Sequence, residues 1–280
     1  RYAFHVFAPY REVRKCTIFG SARIRRGDPA WECARAFAAA IAEEGWMVIT
    51  GAGPGIMEAG HEGAGAENSF GVNIVLPFEA DANPVIAGDP KLINFRYFFT
   101  RKLVFMKESA GFVLLPGGFG TLDECFELLT LMQTGKTPPA PVVLIDPPGG
   151  TYWHRWLDFV RTELEGHGLI SPDDTGLVTL TDSVDEAVAV VCGFYRIYHS
   201  MRFVGSRLVI RLRRALSDEH LARLDRDFRD ICEKGGIERI DTTEAERRDD
   251  DEVHLPRIAL RFDRHHWARL RRLIDAINEA

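Results

Sequence analysis

The first 200 residues alternate short apolar runs with longer helical patterns, and this alternation limits the choice of fold more than any other feature. The apolar runs, rich in Val, Ile and Leu, stand at 16–21, 46–50, 70–77, 111–116, 141–146 and 176–182. The helical patterns between them include 29–45, where Pro29 suits a first turn and Gly45 suits a helix end. A closing helix is predicted at 183–199. Apolar strands that alternate with helices predict a parallel sheet covered on both faces. We therefore predict a doubly wound α/β domain over residues 1–200, with its ligand at the carboxyl ends of the strands.

The last 80 residues have a different pattern. We predict a strand at 207–212, a helix that starts after Ser217 and ends at Gly235–Gly236, a charged loop, a strand at 257–262 and a final amphipathic helix. The pattern is interpreted as a small α+β module over residues 201–280. We expect it to serve oligomerisation or regulation.

Composition excludes some classes of protein. The net charge of −6 gives a general nucleic-acid-binding role no electrostatic support. Five scattered cysteines without a CxxC pair predict reduced, mostly buried thiols in a cytoplasmic protein, and neither disulfides nor a metal site. No signal peptide or apolar run long enough to span a bilayer is visible. Because the first residue is Arg, we expect the sequence to begin inside a longer chain.

Two glycine-rich loops each follow a predicted strand and precede a predicted helix. The first, "TGAGPGIME", contains Gly51, Gly53 and Gly55; the second, "PGGFGT", contains Gly117, Gly118 and Gly120. A phosphate needs bare backbone N–H groups at a helix N-terminus, although a tight turn could also require one such loop. The spacing does not match the dinucleotide fingerprint G-x-G-x-x-G. Two loops at one sheet edge favour the phosphate interpretation, and "FGSAR" adds a third strand end with the hydroxyl of Ser21.

Charged residues near these loops have two interpretations each. "TLDE" fits a capping box in which Thr121 starts a helix and Glu124 bonds back to it, and this pattern alone favours a structural role. Glu124 could also act on a ligand held at that helix end. Arg101 and Lys102 stand at a predicted helix start near Thr100, where cations are unfavourable. They either lie on a solvated helix face, or form an ion pair, or bind an anion, which Arg101 could hold with two hydrogen bonds.

These motifs together resemble the LONELY GUY (LOG) family. "GSAR", "GAGPGIMEA", the Arg–Lys pair and above all "PGGFGTLDE" followed by "LLTLMQTGK" carry the resemblance, which covers about residues 14–195. The family consists of cytokinin riboside 5′-monophosphate phosphoribohydrolases, formerly called lysine decarboxylases. The resemblance implies a Rossmann-like fold and a homo-oligomer, a dimer or larger, with active sites near the subunit interface.

The resemblance also implies an activity. It is hydrolysis of the N-glycosidic bond of nucleoside 5′-monophosphates, AMP and N6-modified AMP among them, without a metal or organic cofactor. The family's catalytic residues match Arg101 and Glu124. Its substrate-binding residues match Ser21, Gly51, Gly53, Gly55, Met57, Lys102, Gly117, Gly118, Gly120 and Thr121.

One departure from the family pattern lies in the first loop. Ala52 stands where the family usually has the middle of three glycines, and we expect its methyl group to be tolerated if its φ is negative. The tail after residue 200 is absent from the short plant-like enzymes, so the resemblance says nothing about it.

Two other functions remain open from the sequence. A non-catalytic carrier of a nucleotide or of the molybdenum cofactor would have a related fold, although the presence of both Arg101 and Glu124 argues against it. A DNA-handling protein with a related glycine loop is disfavoured by the net charge.

Overall fold

A computed structural model describes residues 2–75 and 82–280. The chain divides into two compact units, the first formed by Arg1–Thr130 and Ala140–Val191 and the second by Leu131–Pro139 and Cys192–Ala280. The functional division of residues 1–200 from 201–280 stays a prediction.

The first unit is built on a seven-stranded sheet in which every neighbouring pair of strands is parallel. The spatial order is β4-β3-β2-β1-β5-β6-β7. The strands are β1 Lys15–Phe19, β2 Met47–Thr50, β3 Ser69–Ile74, β4 Leu92–Phe95, β5 Gly111–Leu114, β6 Val142–Ile145 and β7 Thr179–Thr181. All residues of β1, β2, β5 and β6 are buried, as expected for strands with helices on both faces. The Rossmann-like α/β prediction is confirmed.

Helices precede, connect and follow the strands of this sheet. They are α1 Tyr2–Phe7, α2 Pro29–Glu43, α3 Ile56–Ala64, α4 Phe98–Glu108, α5 Phe119–Gln133, α6 Tyr152–Phe159 and α7 Val184–Gly193. Helix α2 begins as predicted, with Pro29 in its first turn and the side chain of Asp28 accepting a hydrogen bond from the N–H of Ala30. Residues 76 and 77 of the run predicted as a strand at 70–77 lie outside the described residues.

The order in which the strands are added reverses once within this sheet. From β1 the order runs through β2 and β3 to β4 on one side, whereas β5, β6 and β7 lie on the other side. The carboxyl ends of β1 and β5 therefore form a topological switch point, where open α/β sheets leave a crevice for ligands.

The second unit contains a four-stranded antiparallel sheet of order β10-β11-β9-β8. Its elements are β8 Tyr198–Val204, β9 Arg207–Leu212, α8 Asp218–Asp227, β10 Cys232–Ile240, α9 Glu244–Asp249, β11 Arg257–Phe262 and α10 Trp267–Asn278. Apolar residues of β9 and β11 pack with residues of α8 and α10 into one core, which includes Leu208, Ile210, Leu224, Leu260, Leu270 and Ile274.

Three predictions for this part of the chain are wrong. The closing helix predicted at 183–199 ends at Gly193, and β8 follows it. Gly235 and Gly236 do not end a helix but lie within β10. The predicted charged loop contains α9, which has a full capping box between Thr243 and Glu246.

A buried ion network holds the segment that contains α9. Glu246 is fully buried, and its Oε1 lies 2.8 Å from Nε of Arg211 and 3.6 Å from Nε of Arg257. Nη2 of Arg211 also pairs with Oδ2 of Asp251 at 2.6 Å. Burial raises the pKa of Glu246, but hydrogen bonds from Thr243 and Arg211 outweigh it, so the pKa falls below its usual value.

All five cysteines are free thiols. Cys16 and Cys125 are buried and the other three are half-buried. Within residues 2–75 and 82–280, no helix combines the length and apolar character that crossing a membrane would require.

Candidate active site

The predicted site residues follow three neighbouring strands. The glycine loops come after β2 and β5, and Ser21 comes after β1, which lies between them in the sheet. The carboxyl ends of parallel strands meet at one edge, so the structure brings the three segments together as the sequence predicted.

Backbone atoms of Ser21 link the two glycine loops. Its N–H donates to the carbonyl oxygen of Pro116 at 3.2 Å, and its own carbonyl oxygen accepts from the N–H of Ile56 at 3.1 Å. A side chain at Gly55 would overlap this carbonyl, and Gly55 has a φ of +68°. Gly55 is therefore required by packing and conformation. The hydroxyl of Ser21 accepts from the N–H of Arg23 at 3.1 Å.

Ala52 has a left-handed backbone in the first loop. Its φ is +63°, so the condition for an unstrained alanine is not met. The left-handed conformation costs an alanine about 1–2 kcal/mol, whereas glycine adopts it readily. The residue is fully buried, which means that its surroundings, and not solvent, hold this conformation.

Arg101 and Met57 lie against the same loop. Helix α4 begins at Phe98, before the predicted start at Thr100, and places Arg101 one turn from its N-terminus. Nε of Arg101 donates to the carbonyl oxygen of Val72 at 2.8 Å. A side chain at Gly51 would overlap Nη2 of Arg101 and would lie 2.7 Å from Sδ of Met57. The absent side chain at Gly51 thus makes room for both predicted site residues.

The second loop differs from its prediction at the start of the helix. Helix α5 begins at Phe119, and the N–H of Leu122 donates to the carbonyl oxygen of Gly118 at 3.1 Å. Thr121 therefore lies in the first turn and is not the N-cap, so the predicted capping box with Glu124 is wrong. The side chain of Thr121 instead fills the space beside Gly117, where a further side chain would overlap its Oγ1.

Gly118 and Gly120 have no internal reason to be glycine. Apart from chain neighbours and the backbone of the same helix, a side-chain carbon at either position would meet no atom of the described residues within 4 Å, and neither has a left-handed φ. Open space in front of the backbone at a helix N-terminus is the arrangement that an anion needs. These two glycines favour a ligand over a tight turn.

Glu124 follows one turn into α5 and is partly buried. Burial raises its pKa from the usual 4.5 to about 7, although Arg101 and Lys102 favour the ionised form. A carboxyl group with a pKa near neutrality exchanges its proton at working pH, which is the property of a catalytic acid or base.

Lys102 has partners on α5. Its Nζ lies 2.7 Å from Oδ2 of Asp123 and 2.8 Å from Oε2 of Glu127. Burial lowers the pKa of Lys102, but its hydrogen bonds to these two carboxylates outweigh burial and raise it. The ammonium group therefore ties α4 to α5, and its predicted contact with substrate stays a prediction.

The sequence analysis did not identify two residues that hold the loops. The hydroxyl of Tyr152, the first residue of α6, donates to the carbonyl oxygen of Gly117 at 2.7 Å. Nδ2 of Asn83, which lies between β3 and β4, donates to the carbonyl oxygens of Ala52 and Gly53 in the first loop. Both contacts are long-range and have no local pattern that would reveal them.

The described residues contain no group of three or more His, Cys, Asp or Glu side chains placed to hold a metal ion.

Comparison with known proteins identifies the family. A family model described as "Possible lysine decarboxylase" matches residues 54–191. A cytokinin riboside 5′-monophosphate phosphoribohydrolase from Mycobacterium tuberculosis (strain ATCC 25618 / H37Rv) is 30% identical over 168 residues, which cover 56% of this chain and 82% of that protein. The chain belongs to the LOG family. The resemblance of the motifs is thereby confirmed.

Two further proteins are similar to this chain over a shorter stretch or at lower identity. A phosphoribohydrolase of the same name from Arabidopsis thaliana is 36% identical over 88 residues, covering 31% of this chain and 39% of that protein. The solved molybdenum cofactor carrier protein from Chlamydomonas reinhardtii aligns with 64% of this chain and 96% of its own, at 21% identity and a TM-score of 0.44. Similarity at that level carries no inference about function.

Proposed function

We propose that this LOG protein hydrolyses the N-glycosidic bond of nucleoside 5′-monophosphates, releasing the free base and ribose 5-phosphate. AMP is the first proposed substrate, and N6-modified AMP such as a cytokinin riboside monophosphate is the second. The observation that carries the proposal is the meeting of two glycine loops, Arg101 and Glu124 at one switch point of the sheet. The names of the relatives support the same reaction.

The second loop is the proposed phosphate site. Its backbone N–H groups stand at the start of α5, where the helix dipole favours an anion. Gly118 and Gly120 leave open space for phosphate oxygens, and Thr121 is placed in the same turn. Fixing the phosphate there would orient the ribose for reaction.

Glu124 and Arg101 are the proposed catalytic residues. As the bond between C1′ and the base nitrogen breaks, the ribose acquires oxocarbenium character, which an ionised Glu124 would stabilise. Water adds its hydroxyl group to C1′, and its remaining proton is transferred to the departing base. Arg101, with Nε already bonded to the carbonyl oxygen of Val72, would hold the nucleotide in place through its guanidinium group.

We also propose that the protein acts in the cytoplasm as a homo-oligomer with its sites near the subunit interface. Large apolar side chains are exposed around the start of α4 and of α5, namely Tyr97, Phe98, Phe99, Leu103 and Phe119. Phe119 is 94% exposed, and Phe99 and Leu103 share one face of α4. Exposed apolar patches of this kind mark protein interfaces, and a second copy of the chain is the proposed partner.

A single assay tests the activity. Purified protein is incubated with a panel of nucleoside monophosphates, and the free base is measured by chromatography. We expect adenine from AMP and none from adenosine, which lacks the phosphate. Tight binding of a nucleotide without any ribose 5-phosphate would instead favour a carrier.

Light scattering tests the assembly. We expect a dimer or a larger species for the wild-type protein and a smaller one for Phe99→Glu, since a buried charge opposes association. A monomeric wild-type protein would refute the proposed oligomer.

A further inference from the structure

A buried polar cluster lies behind the first glycine loop and consists of Thr50, His61 and Asn83. All three are almost fully inaccessible to solvent, so they cannot touch a substrate directly. We propose that they are positioning residues that hold Ala52 left-handed and thereby keep the first glycine loop in its substrate-binding conformation. The proposal rests on the proposed function for the role of the loop, but its structural part can be tested without substrate.

Both backbone polar groups of Ala52 are bound by this cluster. Its N–H donates to Oγ1 of Thr50 at 3.0 Å. Its carbonyl oxygen accepts from the backbone N–H of Asn83 at 2.8 Å and from Nδ2 of Asn83 at 3.0 Å. Nδ2 also lies 3.0 Å from the carbonyl oxygen of Gly53. The peptide groups on either side of the strained residue are therefore fixed by hydrogen bonds.

His61 contacts the side-chain amide of Asn83 and favours the orientation that the loop carbonyls also require. Nε2 of His61 lies 2.9 Å from Oγ1 of Thr50 and 3.1 Å from the carbonyl oxygen of Phe70. Because the carbonyl oxygen can only accept, whereas the hydroxyl can donate or accept, we assign the proton of the neutral ring to Nε2. Nδ1 is then an acceptor, and Nδ2 of Asn83 stands 3.1 Å from it. With the amide reversed, two acceptors would face each other. The two protons of Nδ2 are thus shared among Nδ1 of His61 and the carbonyl oxygens of Ala52 and Gly53, which are all acceptors.

The position of the loop matters because two predicted site residues pack on it. Side chains at Gly51 and Gly53 would each come within 3 Å of Met57, and one at Gly51 would also overlap Arg101. If Ala52 relaxed to a negative φ, the path of the loop beside Arg101 and Met57 would change. The cluster thus acts on the site through the loop.

Asn83→Ala removes the side-chain donors and leaves the backbone bond. We expect the KM for AMP to rise about tenfold with a smaller change in kcat, because strain of the size expected at Ala52 changes an equilibrium constant by about that factor. We also expect faster hydrogen–deuterium exchange in peptides that cover residues 50–56. The matched control is Asn68→Ala, which removes a side-chain bond to the carbonyl oxygen of Ala64 in the same unit. It should change neither the KM nor exchange in the loop.

Ala52→Gly provides a rescue. Glycine adopts the left-handed conformation without strain, so the loop should depend less on the cluster. The double variant Asn83→Ala/Ala52→Gly should therefore recover most of the lost affinity and of the lost protection from exchange. A general packing defect at Asn83 would not be repaired by a change at Ala52.

The outcomes separate the two proposals. Unchanged exchange in the loop of Asn83→Ala, or a double variant as impaired as the single one, overturns the positioning role. Altered exchange with rescue in a wild-type protein that cleaves no nucleotide would uphold the positioning role and refute only the proposed function. If Asn83→Ala does not fold, Thr50→Val tests the same point, since it removes the acceptor for the N–H of Ala52 with little change in shape.

Discussion

Replacing Glu124 with Gln should make the protein more stable above neutral pH and nearly inactive. The folded protein raises the pKa of this carboxyl group from 4.5 to about 7, mainly through burial. The folded state thus binds the proton more tightly than the unfolded state, and ionisation of Glu124 lowers the free energy of unfolding. This penalty is absent below pH 4.5, grows as the pH rises, and is complete above pH 7.

The size of the effect follows from the pKa. Raising a carboxyl pKa from 4.5 to about 7 corresponds to about 3 kcal/mol of lost stability for the ionised form. Gln cannot ionise, so Glu124→Gln should unfold at higher urea concentration than wild type at pH 8, with a gain of about 3 kcal/mol. At pH 4.5 the two proteins should differ little. The quantity to measure is the difference in free energy of unfolding between Glu124→Gln and wild type, determined once at pH 8 and once at pH 4.5.

The substitution that raises stability should lower activity. If the ionised carboxylate stabilises the ribosyl cation, kcat/KM of the wild type should rise with pH through about 7 and then level off. Glu124→Gln should lose at least about a hundredfold in kcat, the usual effect of removing an electrostatic stabiliser. Glu44→Gln, at an exposed helix end in the same unit, serves as the control and should change neither quantity.

Two results would refute the reasoning. Equal urea stability of Glu124→Gln and wild type at pH 8 would show that the carboxyl group is not desolvated as described. Greater stability with undiminished release of adenine would show that Glu124 is buried but is not catalytic.

Three further predictions concern other parts of the molecule. Gly120→Ala should raise thermal stability slightly, since alanine favours a helix by up to about 1 kcal/mol, yet should raise the KM for AMP; a lowered melting temperature would contradict the open space described there. Arg101→Lys should lower kcat/KM about a hundredfold in the adenine assay, because Lys cannot both donate to the carbonyl oxygen of Val72 and hold an anion, and full activity would show that charge alone suffices. Glu246→Ala should destabilise the second unit by about 3–5 kcal/mol in urea unfolding at pH 7, because it leaves Arg211 without its buried partner. The wild-type protein should itself lose this stabilisation as the pH falls through the lowered pKa of Glu246. Equal stability of variant and wild type at pH 7 would refute the network's role.

The strands that the sequence did not predict share one property. β4, β8 and β10 are all edge strands of their sheets, whereas every interior strand was expected close to its observed place. An interior strand must be apolar on its covered faces, which leaves a clear pattern. An edge strand such as β10, "CEKGGIERI", is mostly exposed and is formed by pairing with its neighbour. That pairing is not encoded in a local pattern.

The site shows the same division. The position of the two glycine loops at one edge of the sheet could be predicted, because each loop is a continuous motif that directly follows a strand. The left-handed φ of Ala52, the contact of Asn83 with the first loop and that of Tyr152 with the second could not, since each depends on residues far apart in the chain. The capping box failed for a related reason: α5 starts two residues earlier than its best local cap.

The link through Ser21 consists of main-chain atoms alone, with an N–H on one side and a carbonyl oxygen on the other. Any residue except proline can supply both groups, so substitution at this position would leave the two loops joined. The side chain at position 21 is therefore free to vary with the ligand while the spacing between the loops stays the same. A lineage could in this way change what the crevice accepts without rebuilding the crevice.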